Sequence, residues 1–286
     1  MRSFNKKNVV ITGGSSGIGL ATAKEFARFG ANLFILARGE AGLQKAKTEL
    51  LQQFGTSIKV EIFPVDVSNQ SDIQHVIDYI GTKSGIDVLI NNAGLGGHVR
   101  FEEVPLERLQ NTMNINYWGA VYATKAAWQY LKASGGNLAF VSSLAGYTGI
   151  YGFSNYSPTK FALTGLAEVL RMEGKDHGIG VTVLYPPDTD TPMMSDERRT
   201  PIPETVALSN GAKLVSPEVV AQRFISGIQQ DRFEVLCNTQ SHLVRILRGT
   251  IPRVYFWILD QIVEKDRKKR KNNQKEEVKS LITSAP

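Results

Sequence analysis

A tyrosine and a lysine stand four residues apart at the start of a predicted helix, and together they could supply a proton to a reacting group. Residues four apart share a helix face, so the phenol of Tyr156 and the ammonium of Lys160 are expected to face one cleft. A nearby positive charge favours the ionised phenol, which would lower the pKa of Tyr156 from its ordinary value of about 10. The same spacing also occurs by chance on exposed helix faces, so the pair indicates catalysis only if the chain supplies partners for it.

Composition limits the kind of protein that carries this pair. The 286 residues are 42% hydrophobic and 21% charged, which suits one large α/β domain or two small ones. The single cysteine, Cys237, excludes an internal disulfide, and the four histidines lack the spacing of metal ligands, so we expect no metal site. Residues 1–10 are too short and too polar for a signal peptide, and we expect the catalytic part to be cytoplasmic.

The positive net charge is concentrated near the C-terminus. The run Lys265–Lys275 holds seven basic residues and one acid, and without it the chain has equal numbers of basic and acidic residues. The high isoelectric point therefore describes the tail and gives no information about the catalytic part.

A glycine-rich turn separates the first predicted strand from the first predicted helix. Asn8–Thr12 is a β-branched run typical of a buried strand, and a helical pattern follows until Gly30. Glycines at such a junction let the backbone approach a pyrophosphate, whose charge the helix N-terminus favours. The turn is Thr12-Gly13-Gly14-Ser15-Ser16-Gly17-Ile18-Gly19, in which Gly19 would allow helix and strand to pack closely. The glycine-rich turn therefore predicts a dinucleotide-binding site.

Two residues at the ends of later strands are candidate cofactor ligands. Arg38 follows the predicted strand Asn32–Ala37, where its guanidinium could bind the 2′-phosphate of NADPH, although it could also be a solvated surface charge. Asp66 follows the predicted strand Lys59–Val65 and is either a crevice residue or a turn acid beside Ser68.

Three further segments place polar side chains near the same sheet edge. The strand Asp87–Ile90 ends in Asn91-Asn92-Ala93-Gly94, whose asparagines could serve only to satisfy a turn. A long helix, Pro105–Leu131, contains Asn116, and a buried asparagine in mid-helix needs a partner or a role. The strand Leu138–Val141 is followed by Ser143. Other predicted elements are the helices Leu43–Phe54 and Ile73–Ile80 and the strand Val181–Tyr185.

In order and spacing, these segments resemble the short-chain dehydrogenase/reductase family over roughly residues 6–230. The resemblance implies an α/β fold of the Rossmann type, with a doubly wound parallel sheet of about seven strands and helices on both faces. It also implies that Tyr156 is the general acid, that Ser143 binds the carbonyl, that Lys160 binds the ribose and modifies the phenol, and that Asn116 holds a water in a proton relay. Expected NADPH ligands are Gly13, Ser15, Ser16, Gly17, Ile18, Gly19, Arg38, Asp66, Val67, Asn92, Ala93, Gly94, Tyr156, Lys160, Pro186, Thr189 and Thr191.

One loop departs from the usual family pattern. Pro186-Pro187 replaces the common Pro-Gly, and the second proline fixes the loop. In the family pattern Thr191 would contact the nicotinamide carboxamide. The run Tyr185–Pro192, with Gly152-Phe153, resembles the 3-ketodihydrosphingosine reductases, a branch of the family that reduces a long-chain 2-amino-3-ketone of sphingolipid synthesis with NADPH. We expect the catalytic domain to cover residues 1–241, with a substrate lid at about 193–214.

The C-terminal segment combines apolar and basic residues. Residues 242–264 are too interrupted to span a bilayer, but they suit an amphipathic extension on the cytosolic face of a bacterial inner membrane or of the endoplasmic reticulum. A pocket-closing helix or a subunit contact is the alternative. Residues 265–286 are expected to form a basic, disordered tail.

Other functions fit parts of the pattern. A reductase of another apolar ketone, such as a steroid, a retinoid-like ketone or a 3-ketoacyl thioester, would share the catalytic residues. An NADP-sensing binding protein without activity would be expected to have lost one of them, and none is lost. A nucleic-acid partner is not expected, because the basic run has no interleaved aromatic residues. The family commonly forms homodimers or homotetramers through the helices that contain Asn116 and follow Tyr156.

Overall fold

The computed structural model describes residues 3–209 and 213–283 and contains, within them, one parallel sheet of seven strands. The strands are β1 (Asn8–Thr12), β2 (Asn32–Ala37), β3 (Val60–Pro64), β4 (Val88–Asn91), β5 (Asn137–Val141), β6 (Gly180–Tyr185) and β7 (Glu234–Leu236). Their order in the sheet is β3-β2-β1-β4-β5-β6-β7, and every neighbouring pair is parallel. The predicted doubly wound α/β fold is confirmed.

Helices connect the strands and continue beyond the sheet. Those before β7 are α1 (Gly17–Arg28), α2 (Glu40–Phe54), α3 (Gln70–Ser84), α4 (Leu106–Met113), α5 (Gly119–Ser134), α6 (Ser157–Lys175), α7 (Pro192–Glu197), α8 (Pro203–Ser209) and α9 (Pro217–Gln229). After β7 the chain forms α10 (Thr239–Thr250) and α11 (Pro252–Thr283).

The sheet is buried on both faces because alternate strand residues enter two different cores. Val9 and Ile11 of β1 pack with Phe26 of α1 and Phe224 of α9 on one face. Val10, between them, belongs to the core on the other face, which α3, α5 and α6 cover. This explains why the strands are continuous apolar runs without polar alternation. The rigid sheet holds the loops at its carboxyl edge.

The long predicted helix that contains Asn116 is interrupted. The chain forms α4, then a π-helical turn over Asn114–Trp118, and then α5. A π-turn shifts the direction of the side chains by one position, and such turns are frequent at functional sites. The segment begins and ends within three residues of the predicted bounds, but the sequence does not reveal the turn.

The segment predicted as a lid forms two short helices, α7 and α8, and residues 210–212 of that prediction lie outside the described residues. Thr191 caps α7, because its Oγ1 accepts a hydrogen bond from the Met194 amide at 3.3 Å. Pro192 and Pro203 stand at the first positions of the two helices, where a proline N–H is not needed.

The C-terminal segment differs from the expected amphipathic stretch followed by a disordered tail. Pro252 begins a second helix, α11, which continues through the basic run to Thr283, and residues 284–286 of the predicted tail lie outside the described residues. Two residues of the run, Arg267 and Arg270, bind Glu204 of α8. Within the residues described, no helix combines the length and the apolar character needed to cross a membrane.

Candidate active site

The predicted site residues converge because parallel strands end at the same edge of the sheet. The strand order reverses between β1 and β4, and their connections leave the sheet on opposite sides, which opens a crevice above their ends. The predicted groups follow six strands: the glycine turn after β1, Arg38 after β2, Asp66 after β3, Asn92 after β4, Ser143 after β5 and Pro186 after β6.

The glycine turn has a backbone that other residues would not tolerate. Gly13 and Gly17 have φ values of +66° and +53°. A Cβ at Gly13 would lie 2.8 Å from Cα of Ala93, and one at Gly19 would overlap the carbonyl oxygen of Gly13. The Ser16 side chain makes no capping hydrogen bond to α1, so the first amides of that helix keep their donors. This cradle fits a bound pyrophosphate.

Three adjoining cavities follow the edge of the sheet. The outer cavity, of about 550 Å³, contains Arg38, Asp66 and Val67 in its lining. The middle cavity, of about 200 Å³, lies beside Tyr156 and Lys160. The lid cavity, of about 700 Å³, lies against α7. Gly94 lines all three, so the cavities adjoin one another in one crevice.

Most of the predicted cofactor ligands line this crevice. Those in the outer or middle cavity are Gly13, Ser15, Ser16, Gly17, Ile18, Arg38, Asp66, Val67, Asn92, Ala93, Gly94, Tyr156, Lys160, Pro186 and Thr191. Gly19 and Thr189 are not among the lining residues. Gly19 packs under the turn, and Thr189 is buried with its Oγ1 donating to the Pro187 carbonyl at 2.7 Å.

Arg38 and Asp66 have different surroundings within the outer cavity. Arg38 is exposed and, within the described part of the chain, forms no side-chain hydrogen bond or ion pair, so its guanidinium is free to bind an anion. Asp66 Oδ1 accepts hydrogen bonds from the Ser68 amide at 2.9 Å and the Ser68 hydroxyl at 2.7 Å. Asp66 is therefore both a turn acid, as one interpretation of the sequence suggested, and a lining residue of the crevice.

The two asparagines after β4 hold the crevice in shape. Asn92 Nδ2 donates to the carbonyls of Thr12 and Gly13, each at 3.0 Å, and so connects β4 to the glycine turn. Asn91 is buried and donates to Thr124 at 2.9 Å. Asn92 thus satisfies backbone groups of a turn and also lines the middle cavity, whereas Asn91 bonds a side chain of α5 and no group of a turn.

Tyr156, Ser143 and Lys160 form a compact group beside the middle cavity. Tyr156 is the residue that precedes α6, and its phenol lies near enough to the hydroxyl of Ser143 for that hydroxyl to act on the pKa of Tyr156. Lys160 is 3% exposed and donates from Nζ to the Val141 carbonyl at 2.9 Å. Its Nζ lies 5.4 Å from the centroid of the Tyr156 ring. The ammonium and the phenol thus face one cleft, as the four-residue spacing predicts.

The direction of the phenol pKa is opposite to the expected one. Burial raises the pKa of Tyr156 and the negative charge of Glu197 adds to this, while the hydrogen bond with Ser143 lowers it by less. Burial also lowers the pKa of Lys160 to about 8. At neutral pH the phenol is therefore protonated and the lysine mostly charged, which is the state required for proton donation from Tyr156.

Asn116 is buried in the π-turn, and its side-chain amide forms hydrogen bonds with both its oxygen and its nitrogen. Its Oδ1 accepts from the Leu95 amide at 2.7 Å, and its Nδ2 donates to the Leu95 carbonyl and to Thr159 Oγ1, each at 3.0 Å. These bonds connect the loop after β4 to the first turn of α6. Asn116 thus holds together the two segments that flank Lys160.

Sequence reasoning missed two carboxylates on the side of the crevice formed by α7 and α8, the segment predicted as a lid, which we call the lid side. Glu197 lines the lid cavity, and its Oε1 accepts from the Gly97 amide at 2.6 Å. Glu204 is 4% exposed and binds Arg100, Arg267 and Arg270. Neither residue belongs to a recognisable motif, because their partners are between 63 and 104 residues away in the chain.

Comparisons with known proteins agree with this geometry. A sequence profile described as short chain dehydrogenase matches residues 7–201. A zebrafish protein named 3-dehydrosphinganine reductase is 42% identical over 235 residues, which cover 80% of this chain and 70% of the relative. A protein of Dictyostelium discoideum named 3-ketodihydrosphingosine reductase is 36% identical over 271 residues, covering 89% of this chain and 81% of the relative.

A solved structure is similar over most of the fold. An alcohol dehydrogenase from the archaeon Thermococcus sibiricus, complexed with 5-hydroxy-NADP, superimposes with a TM-score of 0.65 and 28% sequence identity. The match covers 76% of this chain and 87% of the archaeal one.

Proposed function

The chain belongs to the short-chain dehydrogenase family, and we propose that it reduces the ketone of 3-ketodihydrosphingosine to the alcohol with NADPH. The observation that carries the proposal is the group of Tyr156, Ser143 and Lys160 beside a crevice that fits a dinucleotide. The two relatives are named after the same long-chain 2-amino-3-ketone, called 3-dehydrosphinganine in one name and 3-ketodihydrosphingosine in the other. These names support the proposed substrate.

The cofactor would occupy the outer and middle cavities. The glycine turn and the first amides of α1 would bind the pyrophosphate, and Arg38 would bind the 2′-phosphate. Lys160 would bind the nicotinamide ribose, and Thr191, which packs against Gly17, would lie beside the carboxamide. When bound, NADPH supplies the hydride.

The side chains of this protein would stabilise and protonate the ketone oxygen. Negative charge develops on that oxygen as the carbonyl carbon is reduced, and donors already directed at it stabilise the charge most. Ser143 would donate a hydrogen bond, and Tyr156 would donate its proton, which burial retains at neutral pH. The charged Lys160 would then stabilise the phenoxide, and Asn116 would hold the surrounding loop while a water returns the proton.

Replacing Tyr156 by phenylalanine tests this function. Y156F should lower kcat for NADPH-dependent reduction of 3-ketodihydrosphingosine by about 10²- to 10⁴-fold, the range that a general acid contributes. NADPH binding, measured by fluorescence titration, should remain nearly unchanged. Y79F, which alters an exposed tyrosine on α3, is the matched control and should retain full activity.

Two results would count against the proposal. Turnover by Y156F near that of the parent chain would exclude Tyr156 as the proton donor. A higher kcat/KM for a steroid ketone or a 3-ketoacyl thioester than for 3-ketodihydrosphingosine would exclude the proposed substrate while leaving the reductase activity in place.

The C-terminal helices support a peripheral position on an anionic membrane surface. Leu243 and Ile246 are three residues apart on α10 and more than half exposed, and Val254 and Trp257 repeat that spacing on α11, where Trp257 is 61% exposed. The basic run follows on α11 and would attract anionic lipid. A substrate with a long alkyl chain would be presented from such a surface.

Cosedimentation with vesicles tests the membrane position. The double variant I246S/W257S should lose most of its binding to vesicles of phosphatidylcholine with phosphatidylglycerol, whereas V219S, which removes an exposed apolar side chain from α9, should bind as the parent does. Binding by the parent should weaken with added salt. Equal sedimentation of the double variant and the parent would contradict a membrane contact through these helices.

Exposed apolar side chains also support the expected homo-oligomer. Trp118, Phe161, Val169 and Met172 lie exposed on the π-turn and on α6, and a cavity of about 280 Å³ lies between α5 and α6. A contact between copies would cover them. Light scattering that gives the mass of a single chain would exclude it.

A further inference from the structure

Glu197, the last residue of α7, presents a carboxylate to the lid cavity. Its Oε1 accepts from the Gly97 amide at 2.6 Å, which attaches the end of α7 to the loop after β4. One hydrogen bond leaves the second oxygen and further lone pairs of the carboxylate able to accept from a ligand. The position of this carboxylate is thus fixed by the fold before any ligand binds.

Glu197 is the acid in this cavity that lacks a cationic partner. Glu103 pairs with Arg100 at 3.7 Å, and Asp196 pairs with Arg199 at 3.1 Å. Among the residues that the structure describes, Glu197 forms no ion pair, although His98 and Arg108 line the same cavity. The side chain is half-buried, and burial raises the pKa of Glu197, while the hydrogen bond from the Gly97 amide and the proximity of His98 lower it by less. A carboxylate partly removed from water without a counter-ion is stabilised when a cation arrives.

The same carboxylate lies close to the proposed proton donor. Its charge contributes to the raised pKa of Tyr156, and Met193, four residues earlier in the chain, lines both the lid cavity and the middle cavity. In a 2-amino-3-ketone the nitrogen is bonded to the carbon next to the carbonyl, so it lies about 3 Å from the ketone oxygen. A ketone oxygen bound at Tyr156 would therefore keep the ammonium of the same substrate within about 3 Å of that oxygen, in the region on which the charge of Glu197 acts.

We propose that Glu197 binds the ammonium group of the substrate and thereby selects 2-amino ketones over ketones of the same length that lack the amine. This inference rests on the proposed function and adds a determinant of substrate choice to it. Glu197 is separate from the proton-transfer group, because its role is to hold the nitrogen while Tyr156 and Ser143 act on the oxygen. The ion pair would also orient the carbonyl, since the nitrogen and the oxygen are on adjacent carbons.

The test compares two ketones that differ in the amine alone. The kcat/KM of the parent chain and of E197Q is measured with 3-ketodihydrosphingosine and with 1-hydroxyoctadecan-3-one, its analogue without the amine. Glutamine retains an oxygen that can accept from Gly97, so the lid contact is preserved. E197Q should lose about 10- to 100-fold more in kcat/KM with the amino ketone than with the analogue, the range for a hydrogen bond to a charged group, and a change shared by both ketones reports the effect of the lost charge on Tyr156.

Asp196 provides the matched control, because it lines the same cavity and already has a cationic partner. D196N should keep the preference of the parent for the amino ketone. An equal loss by E197Q with both ketones would assign Glu197 a structural role and overturn the inference, although the reductase function would stand. A parent chain that reduces neither ketone would instead overturn the proposed function, on which the inference depends.

Discussion

The strand-end side and the lid side of this crevice are held together by different kinds of contact. On the strand-end side, backbone and short side chains make the contacts, as where Asn92 donates to the carbonyls of Thr12 and Gly13. On the lid side, long charged side chains from distant parts of the chain meet, as where Arg100 and Arg270 bind Glu204. Contacts through backbone and short side chains leave little freedom for substitution. Contacts between long charged side chains can be rearranged around a different ligand.

Glu204 is the centre of the lid side. Arg267 of α11 contacts both Glu204 and the hydroxyl of Tyr151, and Thr205 Oγ1 donates to the Tyr151 carbonyl at 2.7 Å. Tyr151 lies five residues before Tyr156. The C-terminal helix α11 is thus connected to α8 and to the segment that leads to the phenol of Tyr156.

Among the variants that test this comparison, G19A on the strand-end side is expected to produce the largest effect. In G19A the added Cβ would overlap the carbonyl oxygen of Gly13 and approach the Asn92 amide, and backbone cannot move aside as a flexible side chain can. NADPH affinity should fall by about 100-fold or more, equivalent to about 3 kcal/mol of overpacking. Isothermal titration with NADPH measures the change.

Gly39 gives this prediction its control. It lines the outer cavity, but a Cβ there would meet no atom within 4 Å, so G39A should bind NADPH as the parent does. If G19A bound NADPH normally, the glycine turn would have more freedom than its contacts indicate, and the contrast between the two sides would fail.

The contrast between the two sides also explains what could be predicted from the sequence. The glycine turn, Arg38 and Asn92 are placed by short strand–turn–helix segments, and the burial of each strand on both faces can be recognised from a continuous apolar run. The π-turn at Asn116 was not predictable, because it depends on bonds to Leu95 and Thr159 that form only when α6 packs there.

The lid side escaped prediction for the same physical reason. Glu204 and Arg267 are 63 residues apart, and nothing in the local sequence distinguishes Arg267 from other basic residues of the C-terminal run. That run was therefore expected to be disordered, although two of its arginines bind a buried carboxylate. The raised pKa of Tyr156 likewise depends on burial and on Glu197, neither of which follows from the spacing of tyrosine and lysine.

Neutralising Glu204 should produce an intermediate effect on stability. Burial alone would raise the pKa of Glu204, but its backbone N–H and hydrogen bonds from Arg270, Arg267 and Arg100 outweigh burial and hold the pKa at about 2. E204Q should lower the free energy of unfolding by about 1 to 2 kcal/mol at pH 7, a value reduced by the partial exposure of the three arginines. Urea denaturation measures it, with E264Q, which alters an exposed ion pair on α11, as the control.

The pH dependence gives this prediction a sign. Because the pKa of Glu204 is lower in the folded chain than its ordinary 4.5, its stabilisation is complete above about 4.5 and is lost as the pH falls toward 2. The difference in stability between the parent and E204Q should therefore be constant near neutral pH and shrink below 4.5. A difference that grows on acidification would contradict the ion-pair cluster.

The smallest effect is expected for the substitution of Arg38. Its guanidinium is exposed and, within the described residues, forms no ion pair. R38S should lower kcat/KM for NADPH by about tenfold, because a charge-assisted bond to phosphate is weakened when water competes for both groups. It should leave kcat/KM for NADH unchanged, since that cofactor has no 2′-phosphate. R28S, which removes an exposed arginine at the end of α1, should alter neither value. An equal loss with both cofactors would mean that Arg38 shapes the cavity without recognising phosphate, and the strand-end side would then discriminate cofactors through its backbone alone.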